Sequence, residues 1–140
     1  MLRRVGMSPY IRRLRALVGT DLLLIPSVAV LVWDRGGRLL LVRDRESQRW
    51  MTIGGAIEPD EAPDVAAVRE AHEEVGITVA LDALVGVFGG PRFRHVYPNG
   101  DRTSFVPVVY DAHIVDGSPE PDGDEVDLRS GSTRARSTHG

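Results

Sequence analysis

The sequence predicts a mixed α/β sandwich, and three observations lead there. Two apolar runs, "SVAVLVWD" and "RLLLVRD", meet at the turn "DRGGR" and read as a strand hairpin with Gly36 and Gly37 at its tip. A segment with Pro63 near its start and Gly76 past its end, "APDVAAVREAHEEVG", reads as a helix. Two further strands, "ITVALDALVGVFG" and "TSFVPVVYDAHIV", follow it. Strands on both sides of a helix favour a sheet with helical cover.

The elements can be taken in order. "MSPYIRRLRALVG" opens a helix: Ser8 caps it, Pro9 suits its first position and Gly19 ends it. Ile11, Leu14, Leu17 and Val18 form its apolar stripe, with arginines expected on the other side. The run "LLLIPSVAVLVW" spans 12 residues and contains Pro26, which is too short and interrupted for a membrane span. No small-residue cleavage site follows it, so it reads as a buried strand and the protein as cytoplasmic. "WMTIGG" leads into the Gly54–Gly55 pair, and "YPNGDR" places a turn at Asn99–Gly100 before the last strand. From about Asp116 the chain turns polar and rich in Gly, Pro and Ser, with almost no apolar periodicity. The domain plan is therefore a helix over residues 1–20, a globular domain over 21–128 and a disordered tail over 129–140.

Composition narrows the chemistry. At 140 residues, 42% hydrophobic and 26% charged, the chain is an ordinary single domain with enough length for a real core. It has no cysteine, so disulfides and thiolate metal sites are excluded and any metal must take oxygen or imidazole ligands. All 17 basic residues are arginine, which excludes a lysine nucleophile, a Schiff base and a P-loop lysine. A net charge of -3 gives no reason to expect nucleic acid as a partner.

Glu70, Glu73 and Glu74 stand at i, i+3 and i+4 of the second helix and share one face. Like charges at that spacing repel, and a divalent cation reverses the sign. Oxygen-only ligands suit magnesium or manganese. Glu61 precedes the helix and can fold back to the same face, while Gly54–Gly55 lets the backbone approach a ligand closely. A solvated acidic face is the competing reading, and spacing alone divides the two evenly.

The wider pattern decides between them. Gly55, Glu61, Arg69, Glu70, Ala71, Glu73, Glu74, Gly76 and Ile77 reproduce, with every spacing intact, the signature G-x5-E-x7-R-E-U-x-E-E-x-G-U, where U is aliphatic. The sequence thus resembles the Nudix hydrolases, over roughly residues 8–128, with Ala71 smaller than the usual aliphatic. The resemblance implies a Nudix-type α/β/α sandwich with a mixed β-sheet. It also implies hydrolysis of a nucleoside diphosphate linked to another group, by water attack at phosphorus with magnesium or manganese. By that resemblance Glu70 ligates metal and acts as base, and Glu73 and Glu74 are further ligands, with Glu73 part of the catalytic set. Arg69 fixes Glu70, Gly55 offers its carbonyl to a metal, and Glu61 supports the loop or the metal's waters.

Outside the signature, Arg92, Phe93, Arg94 and Tyr97 in "GGPRFRHVYPNGDR" are candidates for substrate binding, with arginines for phosphates and aromatics for a base. Pro91 falls 15 residues after Gly76, near where some ADP-ribose-cleaving relatives carry a proline. His95 is an additional candidate base, and His72 reads as structural, partly covered near Val65, Val68 and Val75. Glu125 or Asp124, in "PDGDEVD", lies where many relatives place one more acidic metal ligand. Relatives continue with a strand and a closing helix, and "DLRSGSTRARSTHG" offers neither, so the C-terminal helix is expected to be missing. A homodimer would cover the sheet edge this leaves. The readings in play are a nucleotide pyrophosphohydrolase acting on a small-molecule nucleotide of ADP-ribose or nucleotide-sugar type, a sanitising hydrolase for oxidised nucleoside triphosphates, and a non-catalytic nucleotide-binding module.

Overall fold

The computed structural model describes residues 7–44 and 47–119, together with the backbone of 125–129. Helix α1 (Pro9–Val18) begins as its cap chemistry dictates: the Ser8 hydroxyl accepts from the Ile11 N–H at 3.1 Å, and Pro9 occupies the first turn. It ends at Gly19, whose N–H donates to the Arg15 carbonyl. The apolar stripe fares differently. No residue of α1 is buried, and Leu17 is 82% exposed.

Strand β1 (Leu23–Val32) is the buried strand expected from the apolar run, and it runs through the middle of the main sheet. It pairs in parallel with β7 (Arg102–Asp116) and antiparallel with β4 (Ile53–Ala56), so the sheet is mixed. The β4 ladder begins opposite Ser27, which leaves Pro26 just beyond it on that side. On the far side β7 pairs with β5 (Thr78–Val87) and, nearer its start, with β6 (Arg94–Val96). β5 is an outer strand, and Leu84, Val85 and Val87 are exposed along it.

A second, three-stranded sheet contains β2 (Leu39–Arg43) between β3 (Trp50–Met51) and β8 (Glu125–Arg129). This corrects the hairpin reading. The turn forms, with Asp34 accepting from the Arg38 N–H at 2.8 Å and Gly37 at φ 80°, but only Trp33 and Leu39 pair across it. Beyond that bridge β1 and β2 part into different sheets. Strand β8 corrects the expectation that "DLRSGSTRARSTHG" offers no strand, since its first three residues belong to β8. Its register sets Val126 opposite Val42 and Leu128 opposite Leu40, and Leu40 and Val42 are buried, so β2 offers a ladder that the polar sequence of β8 does not announce. Among the described residues no helix follows α2 except the single 3-10 turn Pro91–Phe93. The tail from residue 130 and the candidate Asp124 lie outside the described residues. No helix among them is long and apolar enough to cross a membrane.

Helix α2 (Pro63–Val75) packs on the main sheet through Ala66, Ala67, Ala71 and Val75, each fully buried. These small residues let the helix sit close to Val28, Val30, Ile53 and Ile77. Ala71, the departure from the signature, is thus a core residue on that close-packed face. Gly76 ends α2 in the left-handed region, φ 75°, where a side chain would be strained. Burying Ile77 directly afterwards contributes about 1.5–3 kcal/mol to holding that end down.

Candidate active site

β4 and α2 bring the signature together. A Cβ added at Gly55 would fall on the Glu70 carboxylate, so glycine there is a condition of the geometry. The glycine pair was expected to let the backbone approach a ligand; the group that lies against Gly55 here is the Glu70 carboxylate.

Arg69 organises the site with all of its N–H donors. Nε and Nη2 grip Glu61 in a two-pronged contact at 2.6 and 2.9 Å. Nη1 donates to Glu70 at 3.0 Å and to Glu73 at 3.1 Å, and Nη2 also reaches the Ala56 carbonyl at 3.1 Å. The arginine points away from the glutamate face on the helical wheel and reaches round to it. Glu61 also accepts from the Glu58 N–H at 3.0 Å and closes the loop before α2, so it supports the site through Arg69.

These contacts shift the titration of each group. Hydrogen bonding by Arg69 holds the Glu61 carboxyl below its ordinary value of 4.5, against the opposing effect of burial. Glu61 and Glu70 together push the Arg69 guanidinium further into its charged form. Glu70 goes the other way. Burial raises it above 4.5, and the nearby Glu73 charge adds to this, while Arg69 and a hydrogen bond shared with Glu74 oppose it.

The three glutamates lie along one side of α2 but differ in depth. Glu74 is buried at 7% exposure, the Glu70 side chain is nearly buried, and Glu73 is 57% exposed. Among the described residues no three carboxylate or imidazole side chains are already gathered into a metal cluster, and an Arg69 nitrogen bridges Glu70 and Glu73. The donors still fit a hard divalent cation: all are oxygens, two carboxylates are drawn out of bulk water, and Gly55 leaves no side chain in the way.

This face opens on a cleft of about 470 Å³, within the usual range for a small-molecule site. Glu58, Arg69, Glu70, Glu73 and Glu74 line one side. Tyr97, Asp101, Thr103 and Phe105 line the other, joined by the start of α1 and Arg15. Tyr97, a candidate for substrate binding, packs edge-on against His95 at 4.3 Å. Arg92, Phe93 and Arg94 do not line the cleft: they lie on the 3-10 turn and the start of β6, with both arginines exposed. Part of that segment is a strand because β7 offers it an edge. His72 is exposed rather than partly covered. Glu125 opens β8 opposite Arg43 in the second sheet. The residues that sequence reasoning missed are Arg15, Asp101 and Thr103. One signal was available: Arg15 falls four positions after Ile11, inside the apolar stripe of α1.

Fold and site define a class, and comparison with known proteins agrees. The model of the NUDIX domain matches residues 23–130, so the chain belongs to the Nudix family. It is similar to a putative 8-oxo-dGTP diphosphatase of Bacillus subtilis, 38% identical over 65 residues, covering 46% of this chain and 44% of the relative. It is also similar to the mouse diphosphoinositol polyphosphate phosphohydrolase 3-alpha, 50% identical over 50 residues, covering 36% of this chain and 30% of the relative. The chain thus spans less than half the length of the curated relatives it matches. Among solved structures, a MutT Nudix hydrolase from Burkholderia pseudomallei superposes with TM-score 0.58 at 30% identity, covering 77% of this chain and 84% of that one.

Proposed function

We propose that this chain is a pyrophosphohydrolase dependent on magnesium or manganese. Its substrate would be a nucleoside diphosphate linked to another moiety, of ADP-ribose or nucleotide-sugar type, cleaved by water attack at phosphorus. The observation that carries the reading is the Glu70 carboxylate, seated against Gly55 and gripped by Arg69 on the wall of a ligand-sized cleft. Family membership supports the reaction class.

Glu70, Glu73, Glu74 and the Gly55 carbonyl would hold the cation, with Glu125 as a further ligand. When bound, the cation supplies charge neutralisation of the phosphoryl oxygens and a lowered pKa for attacking water. The chain's own residues do the rest. Glu70, on the cleft wall, accepts the proton of the attacking water. Arg69 keeps that carboxylate in one rotamer, and Glu61 keeps Arg69 in place. Tyr97 offers an aromatic face to the base or sugar.

A sanitising hydrolase for oxidised nucleoside triphosphates is the second reading, supported by the similarity to the Bacillus subtilis protein. Turnover of a panel separates the two: ADP-ribose, a nucleotide sugar, a dinucleoside polyphosphate and 8-oxo-dGTP, each with and without magnesium. Preference for ADP-ribose or the nucleotide sugar supports the first reading, and preference for 8-oxo-dGTP the second. No turnover of any member would leave a nucleotide-binding module and sink both.

A further inference from the structure

Two arginines tie the turn after α1 to the cleft wall that carries Asp101 and Thr103: Arg102, exposed, whose backbone N–H and Nε both donate to the Thr20 carbonyl at 3.3 and 3.2 Å, and Arg15, which is almost covered. No residue of α1 is fully buried and only Ile11 and Leu14 of its apolar stripe are partly covered, so apolar packing holds that helix weakly. Arg15 adds the polar hold. Its side chain is only 11% exposed although it stands on a surface helix. Nη1 donates to the carbonyls of Gly19 and Asp21 at 2.9 and 2.7 Å, gathering the turn that follows α1. Nη2 donates to the Arg102 carbonyl at 2.7 Å and to the Thr103 hydroxyl at 3.1 Å, tying that turn to the start of β7. Nε faces the Asp101 carboxylate at 3.6 Å. Asp101 is itself fixed: Asn99 donates to its Oδ2 at 3.2 Å, and its own N–H donates to the Asn99 side chain at 3.0 Å. Asp101 and Thr103 are both buried, and both line the cleft beside Arg15 and Tyr97.

We infer that Arg15 is a positioning residue for substrate: by tying α1 to the turn between β6 and β7, it sets the far wall of the cleft and hence affinity, leaving the chemical step to α2. With four Nη bonds to protein oxygens, the guanidinium has no Nη proton left to grip a phosphate. Its effect on substrate is therefore indirect. A lysine has three donors at a single point and cannot span two segments as the planar fork does. A wall that holds ground state and transition state equally changes KM and leaves kcat alone.

The kinetic part rests on the proposed hydrolase function, and the structural part does not. The test uses the full chain as Arg15→Lys and as Asp101→Asn, the milder change. Amide exchange over residues 9–18 should quicken at least tenfold in Arg15→Lys while residues 63–75 keep their protection. With ADP-ribose and magnesium, KM should rise about tenfold or more with kcat within about threefold, and Asp101→Asn should move both readouts the same way by less. Unchanged exchange in α1, or loss of protection in α2 as well, would overturn the inference. So would a fall in kcat at constant KM. If the parent chain hydrolyses nothing, the proposed function fails, and the hold of Arg15 on α1 is then decided by exchange alone.

Discussion

Gly55→Ala is the sharpest single perturbation of this site, because the consequence of one methyl group can be read from the geometry. The new Cβ would land on the Glu70 carboxylate, so that carboxylate must move. The strand itself has no cause to resist, since Gly55 is not in the left-handed region. Moving Glu70 breaks its 3.0 Å contact with Arg69. A hydrogen bond to a charged group contributes about 1.5–3 kcal/mol, and the Glu70 side chain is covered enough that solvent screening discounts this little. Displacement from a favoured rotamer adds about 0.5–1.5 kcal/mol. Together about 2–4.5 kcal/mol of positioning is lost, which at 1.36 kcal/mol per decade lowers kcat by about 30- to 2,000-fold. The clash lies at the far end of a side chain, so the fold should survive, with the same sum as the upper bound on the stability lost. The assay is steady-state hydrolysis of the preferred panel substrate, with thermal melting of the same samples. A kcat within about threefold of the parent would refute the reasoning, because it would mean that the seat of Glu70 against β4 is irrelevant to turnover.

The other expectations follow from neighbouring contacts. Arg69→Lys should lower kcat more than it raises KM, since a single ammonium cannot hold Glu61, Glu70 and the Ala56 carbonyl together; steady-state kinetics showing a change in KM alone would make Arg69 a substrate contact. Glu73→Gln and Glu74→Gln should each cost at least about 100-fold in kcat while leaving circular dichroism unchanged, and near-normal turnover in both would reduce the acidic face to mere surface. Glu61 sets an acid-side slope in stability. Its folded pKa lies below its ordinary 4.5, so its contribution is complete above that value and is lost as pH falls through the lowered one. Urea unfolding from pH 5 downward should show a shallower loss in Glu61→Gln than in the parent, and an identical slope would mean that the Arg69 contact is not maintained in solution.

What was legible in the sequence was the chemistry that acts over a few residues. Ser8, Pro9 and Gly19 bound α1, and Pro63 and Gly76 bound α2, because capping is decided within a single turn. The glutamates fall on one side of α2 for the same reason: helical geometry alone aligns i, i+3 and i+4. The rest depends on distant partners. Arg15 finds its acceptors on residues 102 and 103, a separation no local pattern encodes. The five residues of β8 look like polar tail until β2 supplies a ladder. Arg92 and Arg94 looked suited to phosphate, yet pairing of β6 with β7 sets them outside the cleft wall. The depth of the glutamates was also hidden, since spacing gives direction round a helix but not how far the sheet rises over it.

The central claim is that the carboxylate face of α2 directs water to a phosphorus atom with the help of a hard cation. The most direct test is hydrolysis of ADP-ribose in ¹⁸O-labelled water, with products read by mass spectrometry in magnesium and in excess chelator. The account predicts one ¹⁸O in a phosphate of one product with magnesium present, and no turnover in chelator. Undiminished turnover in chelator, or products whose phosphates carry no label, would contradict it.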